Sequence, residues 1–98
     1  MTSIKEYQIE ITKYAIEHGF TWTPNDINTM ILRIISELTE ASEAVRDNDK
    51  ENLAEELADT FIRLANTCEV MGIDLEQEVI KKHKKNLLRP HLHGRGNK

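Results

Sequence analysis

The chain has 98 residues, which is the size of one domain, so we expect a single domain over residues 1–98. Acidic residues outnumber basic ones by 17 to 13, which speaks against a dedicated nucleic-acid binder, because such proteins usually carry a basic surplus. The sequence contains neither an apolar run near the ~20 residues that span a bilayer nor an N-terminal signal-peptide stretch. We therefore expect a cytoplasmic protein with no membrane partner.

The composition predicts an all-α fold. Aromatic residues make up only 5% of the chain and glycines number four, which favours helices over a β-sandwich or a glycine-loop nucleotide fold. Capping residues, glycine stops and apolar periodicity predict four helices, over residues 4–18, 24–46, 50–71 and 75–89. We expect a four-helix, bundle-like domain in which one apolar stripe of each helix faces a common core. In the two central helices these stripes consist of Ile27, Met30, Ile31, Ile34, Leu38, Ala41 and Val45, and of Leu53, Leu57, Phe61, Leu64, Ala65, Cys68 and Met71.

Positive charge is concentrated at the C-terminal end. Residues 1–80 contain all 17 acids and six bases, a net charge of −11, whereas residues 81–98 contain seven bases and no acid, a net charge of +7. Two interpretations stay open: a solvated basic tail that offsets an acidic body, or a basic clamp for an anion. Residues 91–98 lack periodicity, and we expect them to form a flexible tail.

Two pairs of acidic residues are predicted to lie on neighbouring helices. Glu37 and Glu40 are three residues apart on the second helix, and Glu56 and Asp59 have the same spacing on the third. The turn between these helices is short, so they should be antiparallel neighbours. At ~1.5 Å per residue, Glu40 and Glu56 would lie at similar heights, with Glu37 and Asp59 one turn further from the turn. Antiparallel packing reverses the direction of rotation around one of the two helices. Bringing the two acidic pairs together could therefore require a third helix or a second subunit.

Four carboxylates in one place indicate a cation site. They would repel one another, and their pKa values would rise, unless a cation lay between them. Oxygen ligands alone suit a hard divalent ion such as Mg²⁺ or Mn²⁺. The alternative for these residues is a solvated acidic face of the kind found on many surface helices.

The same residues carry a family resemblance. The run from Glu37 to Ala44, followed after a spacer by residues 55–59, resembles the ExxE and ExxD signature of MazG-like nucleotide pyrophosphohydrolases, members of the all-α NTP pyrophosphatase superfamily. The resemblance continues through residues 72–75 and a downstream Lys, Asn and Arg element, and it covers most of the chain. The chain departs from many relatives at Ser36, where they have a further glutamate.

The resemblance implies Mg²⁺-dependent hydrolysis of a nucleoside or deoxynucleoside triphosphate to the monophosphate and pyrophosphate, in the manner of nucleotide-pool house-cleaning. It makes Glu37, Glu40, Glu56 and Asp59 the metal ligands, with Mn²⁺ as an alternative ion. Glu37 or Glu40 would also take the proton of the attacking water.

The remaining implied roles concern the substrate and a second copy of the chain. Lys82, Asn86 and Arg89 would grip phosphate oxygens, although a solvated helix face is the simpler interpretation of their spacing. Trp22 is a candidate because of its position just before the second helix, where it could stack on a base or ribose or else only pack beside the helix start. Related enzymes are dimers or dimers of dimers, and we expect a homo-oligomer here. The competing hypotheses are a related enzyme such as a phosphoribosyl-ATP pyrophosphatase and a non-catalytic helical interaction module. The sequence leaves the base, the sugar, the number of metal ions and the choice between dimer and tetramer open.

Overall fold

The computed structural model describes residues 3–89, and within that range it consists of four α-helices and no strand. They are α1 (Ile4–Glu17), α2 (Ile27–Arg46), α3 (Lys50–Val70) and α4 (Leu75–Leu87), with a single 3-10 turn, Pro24–Asp26, before α2. The predicted all-α class is confirmed, and every helix lies within a few residues of its predicted bounds. The largest difference is at α2, which begins three residues late because Pro24–Asp26 forms the 3-10 turn. The predicted tail at 91–98 lies outside the described residues.

Local capping chemistry sets the ends of the helices. Ser3 and Glu6 form the predicted reciprocal capping box at the start of α1. The carboxylate of Asp74 accepts a hydrogen bond from the backbone of Gln77 and so caps α4. Gly72 follows α3 with φ +72, a left-handed conformation that glycine adopts without strain. These bonds pair backbone groups that would otherwise lack partners, so the sequence could place the helix ends correctly.

The helices pack in a chain of pairs. The three-residue connection 47–49 folds α2 back along α3, and these two helices form the largest contact. α1 packs against α3, and α4 packs against α1. The tight turn between α2 and α3 is what brings their acidic residues to one place.

A buried glutamine joins α1 to the junction of α3 and α4. The side chain of Gln8 is fully buried, and its Nε2 donates to Glu69 Oε1 at 2.8 Å and to the Ile73 carbonyl oxygen at 2.6 Å. Its Oε1 accepts a hydrogen bond from the backbone N–H of Leu75 at 3.1 Å. One side chain therefore contacts the end of α3, the connecting turn and the first residue of α4, which fixes the angle between these elements.

The predicted common core is only partly present in a single copy. The buried apolar side chains of the described region are small or flexible: Met30, Ala41, Ala44, Ala65 and Cys68. Several residues predicted to face inward are exposed instead, among them Leu38 (46%), Val45 (61%) and Leu57 (50%). The physical reason is that the helices pack only as the pairs α2–α3, α3–α1 and α1–α4, so no helix is enclosed by neighbours on all sides. The radius of gyration, 15.9 Å, accordingly exceeds the roughly 13 Å of a compact domain of 100 residues.

Candidate metal centre and the adjoining cavity

Three carboxylates meet between α2 and α3. Glu37 comes from α2, Glu56 and Asp59 come from α3, and one oxygen of each lies within 4.8 Å of the others. Glu56 and Asp59 are three residues apart and therefore lie on the same side of α3. The neighbouring helix α2 places Glu37 beside them. Glu37 is buried, Glu56 is half-buried and Asp59 is exposed, so the group opens to solvent at the Asp59 side.

Arg63 holds the buried member of this group. Its Nε donates a hydrogen bond to Glu37 Oε2 at 2.5 Å, and the two side chains form an ion pair. This bond lowers the pKa of Glu37 below its ordinary value, and outweighs burial, which would raise it. Glu37 is therefore ionised at neutral pH with one oxygen engaged by Arg63.

Glu56 has the opposite electrostatic behaviour. A hydrogen bond between its carboxyl group and that of Glu37, burial, and the negative charges of Glu40, Glu37 and Asp59 together raise the pKa of Glu56 to about 7. Part of this rise comes from the three neighbouring carboxylates, so negative charges lie close together around Glu56. Such a set of oxygen donors with excess negative charge fits a hard divalent cation.

Glu40 lies at the edge of the group. It is exposed on α2 and is not one of the three residues whose oxygens converge, although its charge acts on Glu56. The predicted register paired Glu40 with Glu56 and Glu37 with Asp59, whereas in the structure Glu37 approaches both Glu56 and Asp59. Distance along each helix predicts only the heights of these residues, whereas the rotation of α2 about its own axis decides which glutamate faces α3.

A cavity of about 170 Å³ adjoins the three carboxylates. Asp59 and Arg63 form part of its wall, and Trp22 lies on it together with other aromatic side chains of the α1 end. The guanidinium carbon of Arg33 lies 5.3 Å from the ring centroid of Trp22, so this half-buried indole also packs against a cation. Both interpretations of Trp22 left open by the sequence thus have a structural basis, since it packs and also borders a space next to the acidic group.

The downstream basic element lies on a different helix surface. Lys82, Asn86 and Arg89 are exposed on and just after α4, and α4 packs against α1. Within residues 3–89, no side-chain hydrogen bond or ion pair joins these three residues to the acidic group.

Sequence reasoning missed two cavity-lining residues, Arg63, which also binds Glu37, and Asn66. Arg63 follows Asp59 by four residues and Asn66 follows it by seven, so both lie on the same face of α3 as the metal-ligand candidate. A basic residue one helical turn after a predicted acidic ligand was the available signal.

Comparison with known families agrees with this geometry. A family model described as the MazG nucleotide pyrophosphohydrolase domain matches residues 25–93, which include all of α2, α3 and α4. No curated protein and no solved structure matches the chain significantly. Among the described residues, no helix is both long enough and apolar enough to cross a membrane.

Proposed function

The chain belongs to the MazG nucleotide pyrophosphohydrolase family, and from this premise we propose that its substrate is a nucleoside or deoxynucleoside triphosphate. The reaction is attack of water on the α-phosphorus and cleavage of the α–β anhydride bond. The water oxygen ends on the monophosphate, and pyrophosphate leaves. The observation that carries this proposal is the convergence of Glu37, Glu56 and Asp59 beside a cavity with aromatic walls. Such an activity suits removal of unwanted nucleotides from the cytoplasmic pool.

The acidic group is the proposed metal site, with Mg²⁺ as the ion and Mn²⁺ as its substitute. Glu37, Glu56 and Asp59 would hold the cation, and Glu40 would complete the set from the solvent side. When bound, the cation offsets the charge of the triphosphate and polarises the α-phosphorus. Arg63 contributes by keeping Glu37 ionised and by fixing one of its oxygens, so that the other oxygen is left to face the site.

Glu40 is the better of the two candidates for removing the proton from the attacking water. Glu37 is engaged by Arg63 and its pKa is lowered, which makes it a weak base. Glu40 is exposed and has no ion pair or side-chain hydrogen bond in the described part of the chain. We therefore assign Glu37 to metal binding alone, and we assign proton removal to Glu40, at the solvent side of the metal set.

The remaining contacts are proposed for the two ends of the substrate. Trp22 would contact the base from the wall of the cavity. Lys82, Asn86 and Arg89 would bind phosphate oxygens from the exposed surface of α4, where the basic residues of the chain are concentrated.

We also propose that the protein functions as a homo-oligomer, a dimer or a dimer of dimers. Large apolar side chains remain exposed along α2 in the single copy, including Leu32 (63%), Ile35 (50%) and Leu38 (46%). A continuous exposed apolar face of this kind is stabilised by burial against another copy.

The decisive experiment measures pyrophosphate release from a panel of common and modified NTPs and dNTPs, with Mg²⁺ or Mn²⁺. Glu40→Gln and Asp59→Asn should each abolish release while the circular dichroism spectrum stays unchanged. Glu55→Gln is the matched control, because Glu55 is an exposed neighbour of Glu56 outside the converging group. Retained activity in both site variants would refute the mechanism. Absence of divalent-cation binding by calorimetry would instead support the non-catalytic helical module.

A further inference from the structure

The cavity beside the metal site has one polar edge, and a single face of α3 provides it. Asp59, Arg63 and Asn66 line the cavity at intervals of four and three residues. At a rise of 1.5 Å per residue, Arg63 lies about 6 Å and Asn66 about 10 Å beyond Asp59 along the helix axis. The other walls are mainly apolar and aromatic, with Phe20 and Trp22 among them. A nucleotide with its phosphates at the acidic end would therefore extend its base along this edge.

Thr12 decides which group Asn66 presents to the cavity. The hydroxyl of Thr12, on α1, donates a hydrogen bond to Asn66 Oδ1 at 3.0 Å. This bond occupies one acceptor position of the carbonyl oxygen, and the amide nitrogen, with its two N–H donors, has no hydrogen-bond partner among the described residues.

Arg63 adds further donors to the same edge. Its Nε is engaged by Glu37, and the other N–H groups of the guanidinium have no partner among the described residues. Arginine can only donate, so the edge between Arg63 and Asn66 offers hydrogen-bond donors to a base that lies against it.

From this edge we infer that the site selects nucleotides by the exocyclic group of the base, and that it prefers a carbonyl oxygen to an amino group. The inference rests on the proposed function, because it places the base in this cavity. Uracil, thymine, guanine and hypoxanthine would be favoured over cytosine and adenine. A base with an amino group there would set N–H against N–H and leave donors of the edge unpaired, which costs binding free energy.

Fluorescence can report binding without catalysis. The chain has a single tryptophan, Trp22, which lies on the cavity wall, so a ligand in the cavity should quench its emission. Quenching of its fluorescence is titrated, in the absence of metal, with two pairs of monophosphates that differ in the exocyclic group and in the protonation of the ring nitrogen beside it: dUMP with dCMP, and dIMP with dAMP. We expect the carbonyl member of each pair to bind about 10-fold more tightly, which is the order of discrimination that one well-placed hydrogen-bonding group provides. Equal affinities within both pairs, or no quenching by any of the four, would overturn the inference.

Asn66→Asp is the critical variant, since it keeps the shape of the side chain and replaces the donor with an acceptor. We expect it to abolish or invert the preference in both pairs. Asn28→Asp is its matched control, because Asn28 is exposed on α2 outside the cavity wall and adds the same charge. This control should keep the wild-type ratio. A wild-type ratio in Asn66→Asp would also contradict the inference.

Kinetics then separate this inference from the proposed function. With Mg²⁺, kcat/KM should favour dUTP over dCTP and dITP over dATP by a similar factor. Hydrolysis of all four at equal kcat/KM would overturn the inference and leave the proposed function intact. Failure to release pyrophosphate from any of them, with the binding preference preserved, would refute the proposed function and support the base selection.

Discussion

Replacing the buried Gln8 with leucine should destabilise the protein by about 3 kcal/mol. The substitution keeps the approximate size of the side chain but removes three hydrogen bonds, those to Glu69, to the Ile73 carbonyl and from the Leu75 N–H. Glu69 is partly exposed and can be solvated, so the main cost comes from the two backbone groups that are left unpaired. At about 1–3 kcal/mol for each unsatisfied group, the loss is about 2–6 kcal/mol. Burial of the leucine returns about 1–2 kcal/mol.

The assay is thermal and urea unfolding at one fixed protein concentration, because self-association would otherwise alter the apparent stability. For a domain of this size, a loss of about 3 kcal/mol corresponds to a fall in Tm of about 12–24 °C. Gln77→Leu provides the control, since Gln77 is exposed on α4, and its unfolding free energy should change by no more than about 0.5 kcal/mol. If Gln8→Leu proves as stable as Gln77→Leu, the reasoning about this buried network is wrong.

The charge, the surface and the thiol of the same structure lead to four further predictions. The pKa of Glu56 is raised to about 7, so divalent cations and protons compete for the site. Affinity for Mg²⁺ should therefore rise between pH 6 and 8, and binding should release protons. Calorimetry in two buffers measures this release, and Glu56→Gln should abolish it. The same raised pKa means that Glu56 binds its proton more tightly in the folded state than in the unfolded state. The contribution of this group to stability should therefore be lost as the pH rises from about 4.5 through 7. A free energy of unfolding that stays constant over this pH range would contradict it. Leu32→Glu should shift the native mass from oligomer towards monomer in light scattering, and an unchanged mass would exclude this part of α2 from the interface. Cys68 is buried, and burial raises the pKa of its thiol, so it should react with a thiol reagent only after unfolding; fast reaction in the native protein would show that this part of the core opens.

The helices and the residue types of the site could be predicted from local sequence. Ser3 with Glu6, Asp74 with Gln77, and Gly72 act within a few residues of themselves, so their effects on helix ends do not depend on the rest of the fold. The spacing that places Glu56 and Asp59 on one side of a helix is equally local. These features determined an all-α fold with acidic residues on two adjacent helices, and the resemblance they carry was confirmed by the family match.

Only the tertiary structure decided how the helices face one another. The rotation of α2 against α3 determines that Glu37, rather than Glu40, joins Glu56 and Asp59, and it also brings Arg63 to Glu37. These contacts depend on how side chains from distant parts of the chain pack, and no periodicity within one helix encodes them. The same holds for Gln8, whose position on α1 gives no sign of the turn it binds more than 60 residues away. Local hydrogen bonding therefore specified the elements, whereas packing between them placed the charges.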